Sequence, residues 1–184
     1  MNMMKRLAAL LMVLSLLLGM TALAEVTPEA TKEPDLSAYA VPFDTTDVSG
    51  NRITAEILGQ YDLTVINVWA TTCGYCVMEI PELEKFYQQK PANVNFMAIC
   101  MDGGYYPKVV AQMEQQYGIT YSNLIPDKVL WNGLLADILG TPTTLFLDSK
   151  GNLVGDPIIG APRDLLGTYN DEVAKRLASL QVKE

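Results

Sequence analysis

The alternation of apolar and polar positions divides the chain into strands and helices in turn. Leu63-Thr64-Val65-Ile66-Asn67-Val68 is β-branched and mostly apolar, which predicts a buried strand with Asn67 as its one strongly polar residue. From Cys76 onward, Met78, Glu79, Glu82, Leu83, Lys85 and Phe86 predict a helix, with apolar positions three and four apart. Asn93 to Asp102 is strand-like and ends at Gly103-Gly104. Pro107 to Tyr117 is a helix with Pro in its first turn and Gly118 just past its end. A short strand, Ile119 to Ile125, and a helix capped by Asp127 and running to Leu139 before Gly140 come next. Pro142 opens a strand that continues to Asp148, Ser149-Lys150-Gly151-Asn152 is a hairpin turn, and Asn152 to Gly160 returns as the last strand. Arg163 to Leu180 closes the chain as a helix whose Leu165, Leu166, Tyr169, Val173, Leu177 and Leu180 recur at core spacing, with Gly167 weakening its start. Trp131 and Met113 are expected in the core in the same way. Upstream, Phe43 to Val48 and Arg52 to Leu58 flank the turn Ser49-Gly50-Asn51 as a hairpin. Strand and helix in alternation argue for an α/β layer fold.

The first residues carry a different pattern. Lys5 and Arg6 precede an apolar run from Leu7 to Met20, and Ala22-Leu23-Ala24 has the small-x-small form of a cleavage site, so residues 1–24 are expected to be a secretory signal. Left uncleaved, the same run would serve as an anchor. Residues 25–40, rich in Glu, Pro, Thr and Ala without apolar periodicity, are expected to be a flexible linker, and residues 41–184 one domain. The formal charge is −8, and removing the leader takes two bases and no acid, leaving −10. That balance excludes nucleic acid as a natural partner.

The chemistry lies at the junction of the strand at 63–68 with the helix after it. Cys73 and Cys76, two residues apart, fall where unpaired N–H groups and the positive end of the helix dipole favour an anion, and a thiolate is one. The spacing also allows a disulfide. A zinc site needs four ligands, and the chain has no His and only one further Cys, so no metal is expected. An inert structural bridge across so short a loop would add little stability. Three cysteines in an exported chain fit a working dithiol plus one left over. The third, Cys100, is expected to be a buried core thiol; the alternative is a resolving thiol within reach of the pair.

The run Trp69-Ala70-Thr71-Thr72-Cys73-Gly74-Tyr75-Cys76, with Asn67 before it and Glu79 and Pro81 after it, resembles the active site of the thioredoxin superfamily, in its TlpA-like (ResA-like) branch. Val68 stands where that branch has an aromatic residue, and Thr72 where a Trp commonly precedes the first Cys. The resemblance implies a thioredoxin-like α/β fold: a central mixed β-sheet flanked by helices, with an N-terminal β-hairpin and a βα insertion. It also implies that Thr141-Pro142 is the cis-Pro loop, with the Thr141 backbone pairing with an extended stretch of the partner, and that Trp69, Gly74 and Tyr75 help to bind that partner.

Cys73, nearer the helix start, is then the nucleophile, and Cys76 resolves the mixed disulfide. Ordinary thioredoxins place a buried Asp where Asn67 stands. Asn cannot act as a base, so Glu79, three residues after Cys76, is the candidate proton acceptor; otherwise it is a first-turn acid favouring the dipole. The expected activity is extracytoplasmic disulfide reduction by a monomer without cofactor, acting on disulfide or thiol partner proteins and recharged by an upstream membrane electron donor. Two alternatives are a peroxiredoxin-like peroxidase, against which stands Ala70 with no Pro in the place that chemistry requires, and a redox-sensing protein-binding module.

Overall fold

The computed structural model describes residues 35–182, so the expected signal and most of the expected linker lie outside the described residues. Seven strands form one mixed sheet. At its centre β3 (Leu63–Trp69) is buried at every residue, as its composition predicts, and runs parallel to β4 (Val94–Cys100) and antiparallel to β6 (Thr143–Asp148). Beyond β4 come β5 (Asn123–Ile125) and then the hairpin of β1 (Asp44–Asp47) and β2 (Arg52–Thr54); β7 (Ile158–Ile159) closes the other edge.

The twofold repeat of side chains along β3 sorts two apolar layers. Leu63, Val65 and Trp69 pack with Leu83 and Phe86 of helix α1 (Gly74–Gln89), Val110 of α2 (Pro107–Tyr117), and Tyr169 and Val173 of α4 (Leu165–Gln181). Ile66 and Val68 face the other way, onto Phe43, Leu58, Leu124, Leu130 and Leu145. Asn67 has the parity of the first set. A polar side chain is thereby placed between the sheet and the layer that holds α1 and α4.

Several elements differ from expectation. The chain packs before Val41: Leu36 and Tyr39 lie against the second layer, and Ala40 N–H donates to the Lys150 carbonyl at 2.8 Å, so the segment up to Ala40 is not all linker. The second hairpin strand stops at Thr54, and Ala55–Gln60 is a 3-10 helix that buries Ala55 and Leu58. Only 123–125 of the predicted strand 119–125 pairs. The predicted helix 127–139 is reduced to α3 (Lys128–Asn132), because Gly133 takes φ −111° and ψ −97°, outside the helical region, and the turns after it bury Leu135. With the helix cut short its periodicity fails, and Trp131 is 40% exposed while Leu130 takes the core position. Together β5 and α3 make the expected βα insertion between α2 and β6.

The last strand shrinks for a similar reason. Gly155 sits at φ +73° and Pro157 has no N–H to give a ladder, so pairing is confined to 158–159 and a bridge between Leu147 and Leu153. Arg176, a buried residue of α4, holds the intervening segment by donating to the Val154 and Asp156 carbonyls at 2.8 and 2.6 Å, with its guanidinium over the Phe146 ring. Helix α4 runs unbroken through Gly167. The Asp164 carboxylate caps the helix by accepting the Gly167 N–H at 2.9 Å, and a Cβ at 167 would displace that side chain from its capping position.

Candidate redox site

Strand β3 delivers the chain to Trp69, which is buried and donates its indole N–H to Asn123 Oδ1 at 2.9 Å. Trp69, expected to help bind a partner, lies in the core with its one donor used internally. Past Trp69 the loop is pinned by Asp102, from the turn after β4, which accepts from the Thr71 N–H at 2.9 Å and from its hydroxyl at 2.6 Å. Burial opposes ionisation of Asp102, but the Thr71 side-chain and backbone bonds outweigh it and hold the carboxyl below its usual range.

Helix α1 begins at Gly74 with Cys73 as its cap, and the Cys73 sulfur accepts the Cys76 N–H at 3.2 Å. Cys73 and Cys76 are joined as a disulfide with Cα atoms 5.3 Å apart. Cys73 is half-buried and Cys76 is 1% exposed. Gly74 and Tyr75 between them are exposed, as is Met78. The Thr141-Pro142 peptide is cis, and the Thr141 carbonyl oxygen lies 3.4 Å from the Cys73 sulfur. Pro142, itself buried, accepts the Gly160 N–H at 2.8 Å, which ties the loop to the edge strand.

One helical turn past Cys76 begins a buried polar group. Glu79, 5% exposed, accepts from Asn67 Nδ2 at 2.8 Å. The same amide nitrogen is 3.4 Å from Thr144 Oγ1 and 3.5 Å from Tyr169 Oη, and these two hydroxyls bond to each other. Burial pushes the Glu79 carboxyl up to about 7, against the pull of the Asn67 hydrogen bond. A group near neutrality can both take and give a proton. Sequence reasoning singled out Asn67 and Glu79 separately but not their bond, and it counted Tyr169 only as core. The one available signal was a Tyr among Leu and Val on a core stripe, since a buried phenol needs a partner. Asp102 and Asn123 carried no signal at all.

Cys100 is buried, its thiol donates to Asp102 Oδ1 at 3.2 Å, and it belongs to no disulfide. Burial, with the Asp102 carboxylate beside it, pushes that thiol far above its ordinary value. Among the described residues no group of His, Cys, Asp or Glu is arranged to hold a metal ion, and no helix is long and apolar enough to cross a membrane.

The Redoxin family model matches residues 28–158, a span that includes β3, the cysteine pair, Glu79 and the Thr141-Pro142 loop. The chain belongs to the Redoxin family. A curated relative, the thioredoxin-like protein YneN of Bacillus subtilis, is 31% identical over 90 residues, 47% of this chain and 51% of that protein; the chain thus spans about half the length of this relative. Among solved structures, a thiol:disulfide interchange protein from Chlorobium tepidum aligns with TM-score 0.63 and 24% identity over 76% of this chain and 95% of that one. A secreted Mycobacterium tuberculosis disulfide oxidoreductase homologous to E. coli DsbE aligns with TM-score 0.55 and 22% identity over 76% and 96%. StoA from Bacillus subtilis aligns with TM-score 0.56 and 20% identity over 68% and 92%. These similarities show that the chain has the thioredoxin-like fold.

Proposed function

We propose that this protein is an extracytoplasmic thiol-disulfide oxidoreductase that reduces disulfides in partner proteins. The observation that carries the reading is the asymmetry of the pair: a half-buried cysteine capping a helix start, bonded to a fully buried one, beside the carbonyl of the residue before a cis-Pro.

In the reduced protein the Cys73 thiolate attacks one sulfur of a partner disulfide, and the other partner sulfur leaves as thiolate. Cys76 then attacks Cys73, the mixed disulfide breaks, and the second partner sulfur leaves with the electron pair. Cys76 must lose its proton for this, and Glu79, one helical turn on, is the acceptor. Thr141, half-buried and next to Cys73, offers its backbone to an extended partner segment, with Gly74 and Tyr75 on the facing surface. The Gly-Tyr pair lacks the His that stabilises a strongly acidic thiolate, which favours reductant over oxidant. The leader-like residues 1–24 and the secreted M. tuberculosis neighbour support a site of action outside the cytoplasm, where an upstream membrane donor would return the electrons.

Insulin reduction driven by dithiothreitol tests turnover. Catalysis lost in Cys73→Ser is the expected result, and no acceleration by the unaltered protein would overturn the reading. Peroxide consumption faster than insulin reduction would favour the peroxidase instead.

A further inference from the structure

Among the described residues, four buried side-chain polar atoms have no hydrogen-bond partner: Thr64 Oγ1, Asn67 Oδ1, Glu79 Oε2 and Asn95 Nδ2. Two of the four belong to one contacting pair. Asn67 and Glu79 already share a bond, Nδ2–H to Oε1 at 2.8 Å, and the remaining oxygen of each side chain is an orphan. With Glu79 ionised, both orphans are acceptors, and neither can satisfy the other. With Glu79 protonated, one of them becomes a donor. A carboxylic acid and a primary amide are complementary in this sense, since the amide N–H donates to the acid carbonyl and the acid O–H donates to the amide carbonyl.

We propose that Asn67 is a positioning residue that holds Glu79 as a neutral acid in the oxidised protein, through a two-bond acid–amide pair in which Glu79 Oε2–H donates to Asn67 Oδ1. Thr144 and Tyr169 set the sense of the amide. Asn67 and Thr144 stand opposite each other in the β3–β6 register, and the second amide hydrogen has Thr144 Oγ1 and Tyr169 Oη before it, so the nitrogen stays on that side and the oxygen is left for the acid. Two orphans left unpaired in the core would each carry the full cost of their lost hydration. A single proton removes both penalties.

The inference rests on the exchange reading and deepens it. Resolution moves the Cys76 proton to the Glu79 carboxylate while the partner sulfur leaves with its electron pair, so the oxidised protein is the state in which Glu79 carries the proton. The acid–amide pair is then a built resting place for that proton. When an upstream thiol reopens the disulfide, the same proton returns to Cys76 and the Asn67 carbonyl loses its donor. The ionisable groups that sense Glu79 from neighbouring elements are Tyr169 on α4 and Tyr121 ahead of β5, both kept neutral by burial, besides the cysteine pair on its own helix. Among the described residues no cation stabilises the charged form of Glu79.

The test uses the oxidised full chain with no partner or reductant, so its outcome is separate from that of the exchange assays. Nuclear magnetic resonance follows the Glu79 carboxyl carbon and the Asn67 side-chain amide from acid pH to well above neutrality. The two are expected to shift together with one midpoint. In Glu79→Gln, an amide–amide pair replaces the acid–amide pair, and the side-chain hydrogens of the introduced glutamine should exchange with solvent more slowly than those of exposed glutamines. Asn67→Leu removes both bonds, and the infrared carbonyl band of the protonated acid should move toward that of an unbonded acid. An Asn67 amide that does not respond while Glu79 titrates overturns the proposal, as do introduced-glutamine hydrogens that exchange like exposed ones. The glutamine result stands whether or not Asn67→Leu folds.

Discussion

The Cys73 sulfur lies 3.4 Å from the carbonyl oxygen of Thr141, across 68 residues of chain. Two segments that share no local signal are thus one site: a helix start that favours a thiolate, and a backbone edge that a partner strand can join. Cys76, three residues on, is buried. The proposed division of labour between the two sulfurs rests on which of them the fold leaves more open.

Cys73→Ser should abolish disulfide exchange, whereas Cys76→Ser should attack once and stall as a mixed disulfide. Limiting iodoacetamide on the reduced protein is expected to label Cys73 first, because it is half-buried while Cys76 is 1% exposed. Label found first on Cys76 would reverse the roles. Partner proteins held on Cys73 in the Cys76→Ser variant would identify the substrates.

Cys100 should stay reduced and unreactive in the folded chain, since burial and Asp102 disfavour its thiolate. Mass mapping of the air-oxidised protein is expected to show only the bridge between Cys73 and Cys76. A bridge to Cys100 as the main product contradicts this.

Glu79 makes stability depend on pH with a definite sign. Its carboxyl titrates at an ordinary 4.5 when unfolded and at about 7 when folded, so the folded state binds more protons between those values. The stabilisation is fully present below 4.5 and is lost as the pH rises to about 7. The loss is about 3 kcal/mol. Urea unfolding of the oxidised protein should show that decline, and Glu79→Gln should lack it. In the reduced protein the same substitution should lower the apparent pKa of at least one cysteine, by removing a neighbouring charge, and slow exchange near neutral pH.

Asp102→Ala should loosen the loop before Cys73. Thr71 would lose both acceptors that Asp102 now provides, at a cost of roughly 1–2 kcal/mol. Chemical denaturation measures the loss, and the alkylation rate of Cys73 should change with it. An unchanged rate would leave Asp102 a purely structural residue.

Arg176→Ala should destabilise the protein by roughly 2–4 kcal/mol without touching the redox chemistry. It strands the Val154 and Asp156 carbonyls and removes the cation from the Phe146 ring. A lower melting temperature with an unaltered thiol titration is the expected pair of results.

Local physics was legible wherever one residue type decides. The run from Leu63 to Val68 fixes a central strand by its β-branched side chains, the two cysteines mark the start of α1, and Pro107 with Gly118 bounds α2 to the residue. The sequence also singled out Asn67 and Glu79, because a polar residue inside an apolar strand and an acid one turn past a cysteine stand out. Their bond did not show, since it depends on the parity of β3 and on which face α1 lays against it. Tyr169 and Thr144 join the same cluster from residues far along the chain, and no periodicity in α4 or β6 separates them from ordinary core. The short elements failed for the complementary reason. Asp127 to Leu139 has helical composition, yet Gly133 is free to leave the helix and burying Leu135 rewards the departure; strand 152–160 yields to Arg176, which takes the carbonyls a partner strand would have used. Backbone preference is set locally, but which side chains meet in the core is decided only when the sheet and both of its layers are assembled.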